Sequence, residues 1–378
     1  QFKTDNSKIK IGANFRQYTP DSKGSIFMDT ASSIVNNEFG VYTGGEINFL
    51  GEVLKLNTTL RADKNENFDV NLSPAASIVY KPNKDDVFRL SFGSALRNPT
   101  LSDQYLYYNV GRAILIGNLN GHGVKYGENL VTIESLYEYF TPSFPVYDSL
   151  KFFSVDPIKP EKAKSIELGY RSTISNKLYV DANVYYSEYT DFIGYKIGAK
   201  FLADTTNGGY SITLPSIQAY RMAANAENKV TTKGASIGIN YYPNSDVSIN
   251  GNYSWNSLNE KGTNDPIIPA YNTPEHKFNL GCLIKNIHFS KQKSFLRDFS
   301  CSVNYKWVEG FQYEGSPQFT GYVPTYDIVD FQISKEIIRL NATVKLGSTN
   351  LLNNLHYEVY GGPYIGRMSY CSILFNIN

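Results

Sequence analysis

The chain has 378 residues, of which 42% are hydrophobic and 14% aromatic, with a mean hydropathy of -0.33 and a formal net charge of +1. No run approaches the roughly eighteen consecutive apolar residues of a membrane helix, which excludes a helical membrane protein. The balanced charge gives no indication of a nucleic-acid or acidic-lipid partner.

The predicted strands share an alternation of apolar and polar residues with a period of two. The 30 Tyr and 22 Phe, against three Met, favour strands because aromatic side chains suit pleated surfaces. In 299–307 the odd residues are apolar or aromatic and the even residues are polar. About fourteen segments follow this pattern, which predicts an all-β protein whose strands have two different faces. The clearest are, in chain order, 54–63, 165–171, 178–187, 234–242, 247–255, 277–284, 299–307 and 340–347.

The connections between the predicted strands alternate between short and long. Short turns lie near residues 50–53, 82–85, 175–177, 243–246, 290–298 and 335–339. Long connections lie near residues 19–37, 96–160, 196–228, 258–275, 309–324 and 351–365. Short turns at one end of the strands and long connections at the other are typical of an antiparallel transmembrane β-barrel. Nothing in a soluble β-sandwich requires this arrangement. Backbone groups in lipid must bond within the sheet, so we expect the sheet to close.

Aromatic and charged residues support the barrel and distinguish its faces. Aromatic residues near both ends of the apolar stripes predict two interfacial girdles. They are Trp255, Trp307 and Tyr186 near the long connections, and Phe49, Tyr80, Tyr241 and Phe375 near the short turns. Charges on the polar stripes would line an aqueous or plugged lumen, among them Lys10, Arg16, Glu46, Arg61, Arg89, Glu167, Arg171, Asp181, Lys306 and Lys345.

No motif predicts catalysis, a cofactor or a metal site, and we expect a protein that is not an enzyme. The segment GASIG at 234–238 matches a hydrolase motif but continues as a strand, without the sharp turn that exposes a nucleophile. The four histidines lack metal-ligand spacing, and 63–69 begins a calcium-like pattern that lacks the EF-hand glycine and glutamate. The three cysteines lie on apolar stripes, and in a symmetric hairpin Cys282 would oppose Cys301.

The connection 96–160 holds the candidate binding residues. Tyrosine and arginine are frequent anchors at binding surfaces, and aromatic rings stack on sugar or peptide surfaces. The alternative is that these side chains pack the loop against its neighbours or against a plug. The candidates are Arg97, Tyr105, Tyr107, Tyr108, Arg112, Tyr137 and Tyr139.

Four segments, in order along the chain, resemble a known family. They are SFGSALRNPTLSDQYLYYNVG (91–111), IKPEKAKSIELGYR (158–171), GSTNLLNN (347–354) and the terminal YGGPYIGRMSYCSILFNIN. Together they resemble the C-terminal barrel of TonB-dependent outer-membrane transporters of the Bacteroidota type, over essentially all 378 residues. The resemblance implies a 22-stranded barrel, blocked by an N-terminal plug and opened by a partner that pulls on a TonB box.

The chain departs from that family pattern in two ways. We find no plug or TonB-box segment, and about fourteen strands are predicted instead of 22. Because fourteen is even and the last strand ends on the short-turn side, residues 1–378 would form the C-terminal part of the barrel. The plug and the first strands would then belong to a separate or N-terminal piece. The family's final strand usually ends in an aromatic residue, whereas here Phe375 is followed by NIN.

The resemblance implies TonB-dependent active import of a nutrient, a glycan, peptide or metal chelate, across the bacterial outer membrane, with extracellular long loops and a periplasmic C-terminus. Expected partners are the N-terminal plug and barrel fragment, a TonB-type energy-transducing protein, outer-membrane lipid and, as in starch-utilisation-type members, a surface lipoprotein. No cofactor and no nucleic acid are expected. Two alternatives remain open: a passive or facilitated-diffusion 14-stranded pore, and a soluble extracellular carbohydrate-binding or adhesive β-protein.

Overall fold

The structure is a computed structural model and describes residues 2–4, 6–111, 113–141, 147–201, 203–204, 211–212, 217–260, 271–289, 297–315 and 320–375. The described strands and α-helices are, in chain order, β1 Phe2–Lys3, β2 Ser7–Tyr18, β3 Asn36–Phe49, β4 Leu54–Asn65, β5 Phe68–Tyr80, β6 Asp86–Arg97, α1 Leu101–Tyr105, β7 Tyr107–Asn109, β8 Ala113–Ile116, β9 His122–Gly123, β10 Leu130–Val131, α2 Ile133–Phe140, β11 Ser154–Val155, β12 Glu161–Ile174, β13 Leu178–Thr190, β14 Ile193–Lys200, β15 Ala203–Asp204, β16 Ser211–Ile212, β17 Gln218–Asn225, β18 Val230–Tyr241, β19 Val247–Glu260, β20 His276–Ile287, β21 Phe299–Val308, β22 Phe311–Glu314, β23 Thr320–Val323, β24 Tyr326–Ile337, β25 Ala342–Thr349 and β26 Met368–Phe375. Short 3-10 helices span Val124–Tyr126, Tyr147–Ser149 and Ile338–Leu340.

Fifteen strands form the main sheet, which we call the wall, and its strands pair in an antiparallel sense. Their order is β1-β2-β3-β4-β5-β6-β12-β13-β18-β19-β20-β21-β24-β25-β26. Since β1 has only two residues, fourteen long strands remain, as the sequence predicts. Within the described residues the sheet stays open, with β1 at one edge and β26 at the other.

The two faces of the wall differ as the alternation predicts. Apolar side chains on one face are exposed rather than packed in a core, and Leu168 of β12 is 54% exposed. The opposite face carries ion pairs, including Lys8 and Lys55 to Glu46 (3.3 and 2.9 Å). Because the apolar stripes do not meet one another, the wall is not a sandwich but a sheet between an apolar and an aqueous medium. No described helix has the length and apolarity needed to cross a membrane.

Short turns join the wall strands at one end, as predicted; of the turn predicted at 290–298, residues 290–296 lie outside the described residues. In the turn between β12 and β13, Ser175 and Asn176 both have positive φ angles (52° and 54°). Two successive residues of this kind match the twist of a tight hairpin. At the other end the connections are long, except that residues 66–67 alone join β4 to β5.

The predicted pairing of Cys282 with Cys301 is wrong. Cys282 lies opposite Val303, and Cys301 lies opposite Ile284. A symmetric pairing of 284 with 299 would bring the two cysteines together, but Phe299 pairs with Ile287 instead, so the hairpin is centred at a different point, and the ladder has an irregularity between Ile284 and Ile287. All three cysteines are free thiols.

Two long connections fold together into a second body at the long-connection end of the wall. We call the described residues of 98–160 and 191–229 the cap. Its sheet has the order β10-β14-β17-β8-β7, with β8 parallel to β17. Leu130 and Met222 are fully buried there, packed with Ile114 and Ile116. The cap therefore has the closed apolar core that the wall lacks.

Candidate functional site

The cap joins the wall where two of the sequence motifs meet. Arg97 ends β6 and Glu161 begins β12, and the two residues are direct partners in the sheet. The Arg97 guanidinium Nη2 lies 3.4 Å from Oε2 of Glu161. The same carboxylate oxygen accepts a hydrogen bond from the Ile193 amide (3.1 Å). The buried Glu161 thus ties the ends of wall strands β6 and β12 to the second cap segment.

A network of side-chain hydrogen bonds fixes α1 beside this junction. Thr100 caps the helix, and the Asp103 carboxylate accepts from the Thr100 amide at 2.8 Å. The Gln104 side-chain oxygen accepts from Asn36 (3.2 Å) and Asn67 (2.7 Å). Asn67 also donates to the Tyr105 hydroxyl (2.6 Å). These bonds attach α1 to the start of β3 and to the tip of the β4–β5 hairpin. We call this part of the long-connection end of the wall the mouth.

A polar cavity of about 500 Å³, the mouth cavity, lies between α1 and strands β2, β3, β4 and β6. Its charged lining residues are Arg16, Arg61, Lys64, Arg97, Glu38 and Asp63. Arg61 is paired with Asp63 (2.5 Å), and Glu38 accepts from the Asn65 and Asn98 amides (3.1 Å each). The side chain of Arg16 forms no ion pair or hydrogen bond with a described residue. With four cations and two carboxylates in its lining, the mouth cavity favours an anionic occupant.

The cap sheet contributes a stacked cation and aromatic ring next to this cavity. The Arg221 guanidinium on β17 lies 3.4 Å from the centre of the Tyr195 ring on β14. Burial lowers the pKa of Arg221. Burial and the neighbouring Asp103 carboxylate raise the pKa of Tyr195. No sequence pattern identified this pair, because its two members meet only through the pairing of β14 with β17.

A second charged cluster lies inside the cap. Glu128 accepts from the Lys200 ammonium (2.6 Å) and from the Gly123 amide (2.9 Å). His122 Nδ1 lies 3.3 Å from the same carboxylate. Burial opposes the ionisation of Glu128, but the Lys200 and Gly123 hydrogen bonds outweigh it and lower its pKa. Among the described residues, no group of three or more His, Cys, Asp or Glu side chains is placed to hold a metal ion.

The six described candidate residues from the sequence do not form one surface. Arg97 and Tyr105 lie at the mouth, while Tyr107 and Tyr108 lie on β7, the edge strand of the cap sheet. On α2, Tyr137 is 75% exposed, whereas Tyr139 is 3% exposed and packs edge-on against Phe140 (5.0 Å between ring centres). Arg112 lies outside the described residues.

Comparisons with known proteins agree on the fold. The family model described as "TonB dependent receptor-like, beta-barrel" matches residues 1–351. Similar solved structures include the FrpB iron transporter of Neisseria meningitidis, the siderophore receptor PirA of Acinetobacter baumannii and the copper transporter OprC. Each is 13% identical to this chain, and the TM-scores are 0.62, 0.62 and 0.60. The alignments cover 98% of this chain but 52, 52 and 54% of those structures, so the chain spans about half their length. The search of curated proteins found no match.

Proposed function

Because the chain belongs to the TonB-dependent receptor-like β-barrel family, we propose that it forms the greater part of the wall of an outer-membrane importer. The family match over residues 1–351 carries this proposal. Proteins of this family transport their substrates and are not enzymes. The two-faced wall supports the same function, because a spanning strand needs one face suited to lipid and one suited to water.

We infer that residues 1–378 are the C-terminal part of a 22-stranded barrel. The described β26 is exposed along its whole length and pairs only with β25. An unpaired edge of this kind is unstable in lipid, where every backbone group must be bonded. The remaining strands would pair between the β26 and β1 edges, and the plug would lie inside the closed barrel. A closed fourteen-stranded pore would need those two edges to pair, and no such pair is found among the described strands.

The proposed substrate enters from the cap side and contacts the mouth cavity. Among the three nutrient classes expected from the sequence, the cationic lining of Arg16, Arg61 and Arg97 favours an anionic metal chelate. The similar structures are named as an iron transporter, a siderophore receptor and a copper transporter, and these names also favour a substrate that contains a metal. The other candidates from the sequence remain proposed substrate contacts: Tyr105, Tyr107, Tyr108, Arg112, Tyr137 and Tyr139. Of these, Tyr139 would act from the cap core by supporting α2.

The proposed orientation places the cap and the long connections outside the cell and β26 with its C-terminal end in the periplasm. The short turns of the wall at the opposite end support this, since outer-membrane barrels have short periplasmic turns. A TonB-type protein would act on the plug from the periplasmic side. A surface lipoprotein over the cap is part of the same proposal.

Uptake by whole cells tests the proposed function. Cells producing the complete receptor would accumulate a radiolabelled ferric chelate, and cells without the TonB-type protein would not. Replacing Arg16 and Arg61 by alanine is expected to raise the half-saturating substrate concentration about tenfold or more. Lys285→Ala, at the opposite end of the wall, serves as the matched control. Accumulation that persists without the energy-transducing protein would contradict active import.

A further inference from the structure

Arginines on the wall strands are confined to one sector of the sheet, and all of them lie on its polar face. They are Arg16 on β2, Arg61 on β4, Arg89 and Arg97 on β6, and Arg171 on β12. The described wall strands from β13 to β26 contain no arginine, although lysines occur in both parts, as in Lys8 and Lys345. An arginine fork binds paired oxygens through two parallel hydrogen bonds, which an ammonium group cannot do. The sector from β2 to β12 is therefore suited to an anion with carboxylate-like oxygens.

Small side chains line the polar face of this sector between the mouth cavity and the short turns. The sheet register places alanines, serines and a glycine side by side on three neighbouring strands, β5, β6 and β12: Ala75, Ser77, Ser91, Gly93, Ala163 and Ser165. Positions of this kind let another group approach the backbone closely. We call this strip of the wall the lane. It begins below Arg97 of the mouth cavity and offers a solute free width and no charge along its length.

Arg171 lies beyond the lane, at the short-turn end of β12. It comes three residues before the strand ends at Ile174 and ten residues after Glu161, which is roughly 33 Å along the strand. Its side chain forms no ion pair or hydrogen bond with a described residue. Glu167, the carboxylate on the same face of β12, instead accepts from the Asn183 amide (3.0 Å). The N–H donors of the Arg171 guanidinium are therefore free for a ligand.

The neighbouring Arg89 is occupied, and its geometry leaves Arg171 open. The Arg89 side chain crosses β12 at Gly169, where a Cβ atom would lie 2.9 Å from the Arg89 Nε atom. Its guanidinium reaches Asp181 on β13, with 2.7 Å between Nη2 and Oδ1. Asp181 is the direct sheet partner of Arg171, yet its carboxylate is bound by Arg89. Arg89 therefore lies along the wall and neutralises Asp181, so that Arg171 keeps its charge for the lumen.

We propose that Arg171 is a second binding station for the solute, on the periplasmic side of the lane, and that the solute is a metal chelate with free carboxylate groups. This inference rests on the proposed function and on the orientation given with it. A chelate that leaves the arginines of the mouth cavity would pass small neutral side chains, which do not retain it, and then bind the free guanidinium. Passage through a channel needs sites that bind the solute weakly enough to release it, and a single open arginine meets that condition.

Ferric citrate labelled with radioactive iron tests the station in cells that produce the complete receptor. Surface binding is measured in energy-depleted cells and uptake in energised cells. Arg171→Gln is expected to leave surface binding unchanged and to lower the maximal uptake rate about tenfold. Arg171→Lys keeps the charge without the fork and is expected to restore part of that rate. The matched control is Lys345→Gln, which removes an unpaired cation three residues from the short-turn end of β25, and it is expected to transport at the wild-type rate.

Rates are expressed per receptor in the outer membrane, and Arg171→Lys keeps the test decisive if Arg171→Gln fails to insert. Wild-type uptake by the Arg171 variants, weaker surface binding, or an equal loss in Lys345→Gln would overturn the proposal. Greater sensitivity to an antibiotic too large for the intact outer membrane would also overturn it, because Arg171 would then hold the plug. Wild-type cells that accumulate no ferric citrate would contradict the proposed function itself, whereas normal uptake by both wild type and variant contradicts this inference alone.

Discussion

The wall and the cap use the same residue types for opposite purposes. Leu168 of the wall is 54% exposed, whereas Leu130 of the cap has no exposed surface. Wall leucines face an apolar medium, so the protein does not need to bury them against itself. Cap leucines face water unless they pack together, and the cap therefore forms a closed core. The comparison shows that in this chain burial depends on the surrounding medium as well as on residue type.

The largest effect is expected from opening a cavity in the cap. Leu130→Ala should destabilise the cap by about 2–5 kcal/mol, because the fully buried site loses its contacts and relaxes only partly. Hydrogen exchange should accelerate in residues 113–131 and 219–226 while the wall strands stay protected. Leu355→Ala, at an exposed loop position outside the cap, should leave exchange unchanged. Loss of protection throughout the wall would mean that the two bodies fold as one unit.

A charge on the lipid face should disturb the wall and not the cap. Leu280→Arg on β20 should cost about 2–4 kcal/mol if the site is near the bilayer midplane, because the guanidinium loses hydration there. Guanidinium-induced unfolding in lipid vesicles gives the free energy. The control is Ser302→Arg on neighbouring β21, whose side chain faces the aqueous side. Equal costs for both variants would contradict the assignment of the two faces.

The two segments of the cap are joined by the buried Asn118, and its removal should loosen that joint. Its amide donates to the carbonyls of Asp156 (2.7 Å) and Ala223 (2.8 Å). Asn118→Ala leaves those carbonyls unpaired and should cost the cap about 1–3 kcal/mol. Hydrogen exchange of the cap measures this, with the exposed Asn120→Ala as control. A cap that is unchanged by the substitution would show that the β8–β17 pairing alone holds the segments.

The smallest expected effect is a dependence of cap stability on pH. The pKa of Glu128 in the folded cap lies below its usual value of 4.5. Its stabilising contribution is therefore complete above pH 4.5 and is lost as the pH falls through the lower, folded value. Glu128→Gln should flatten the acid side of the cap's stability profile, measured by hydrogen exchange at several pH values. Glu52→Gln, in a wall turn, should retain the wild-type profile.

The wall could be predicted from the sequence because its rule is local. A strand between two media alternates with a period of two, and that period is visible in any ten residues. The fourteen long strands and the short turns at one end therefore follow from the pattern. The cysteine register was not accessible, because it depends on where the hairpin between β20 and β21 is centred, and an alternation of apolar and polar residues does not fix that point.

The candidate site could be predicted only in part. The sequence analysis placed Arg97 in the long connection 96–160, and Arg16 and Arg61 on the lumen face. The structure brings all three to the mouth cavity. The stacking of Arg221 on Tyr195 and the burial of Tyr139 depend on how distant segments pack.

The sequence by itself determined an all-β wall with one apolar and one polar face, because side-chain direction in a strand is fixed by position along the chain. Only the tertiary structure decided how the cap forms at the long-connection end of the wall. The cap sheet brings residues 113–116 beside 219–222, and contacts between segments so far apart in the chain are selected by packing and hydrogen bonding rather than by any local pattern.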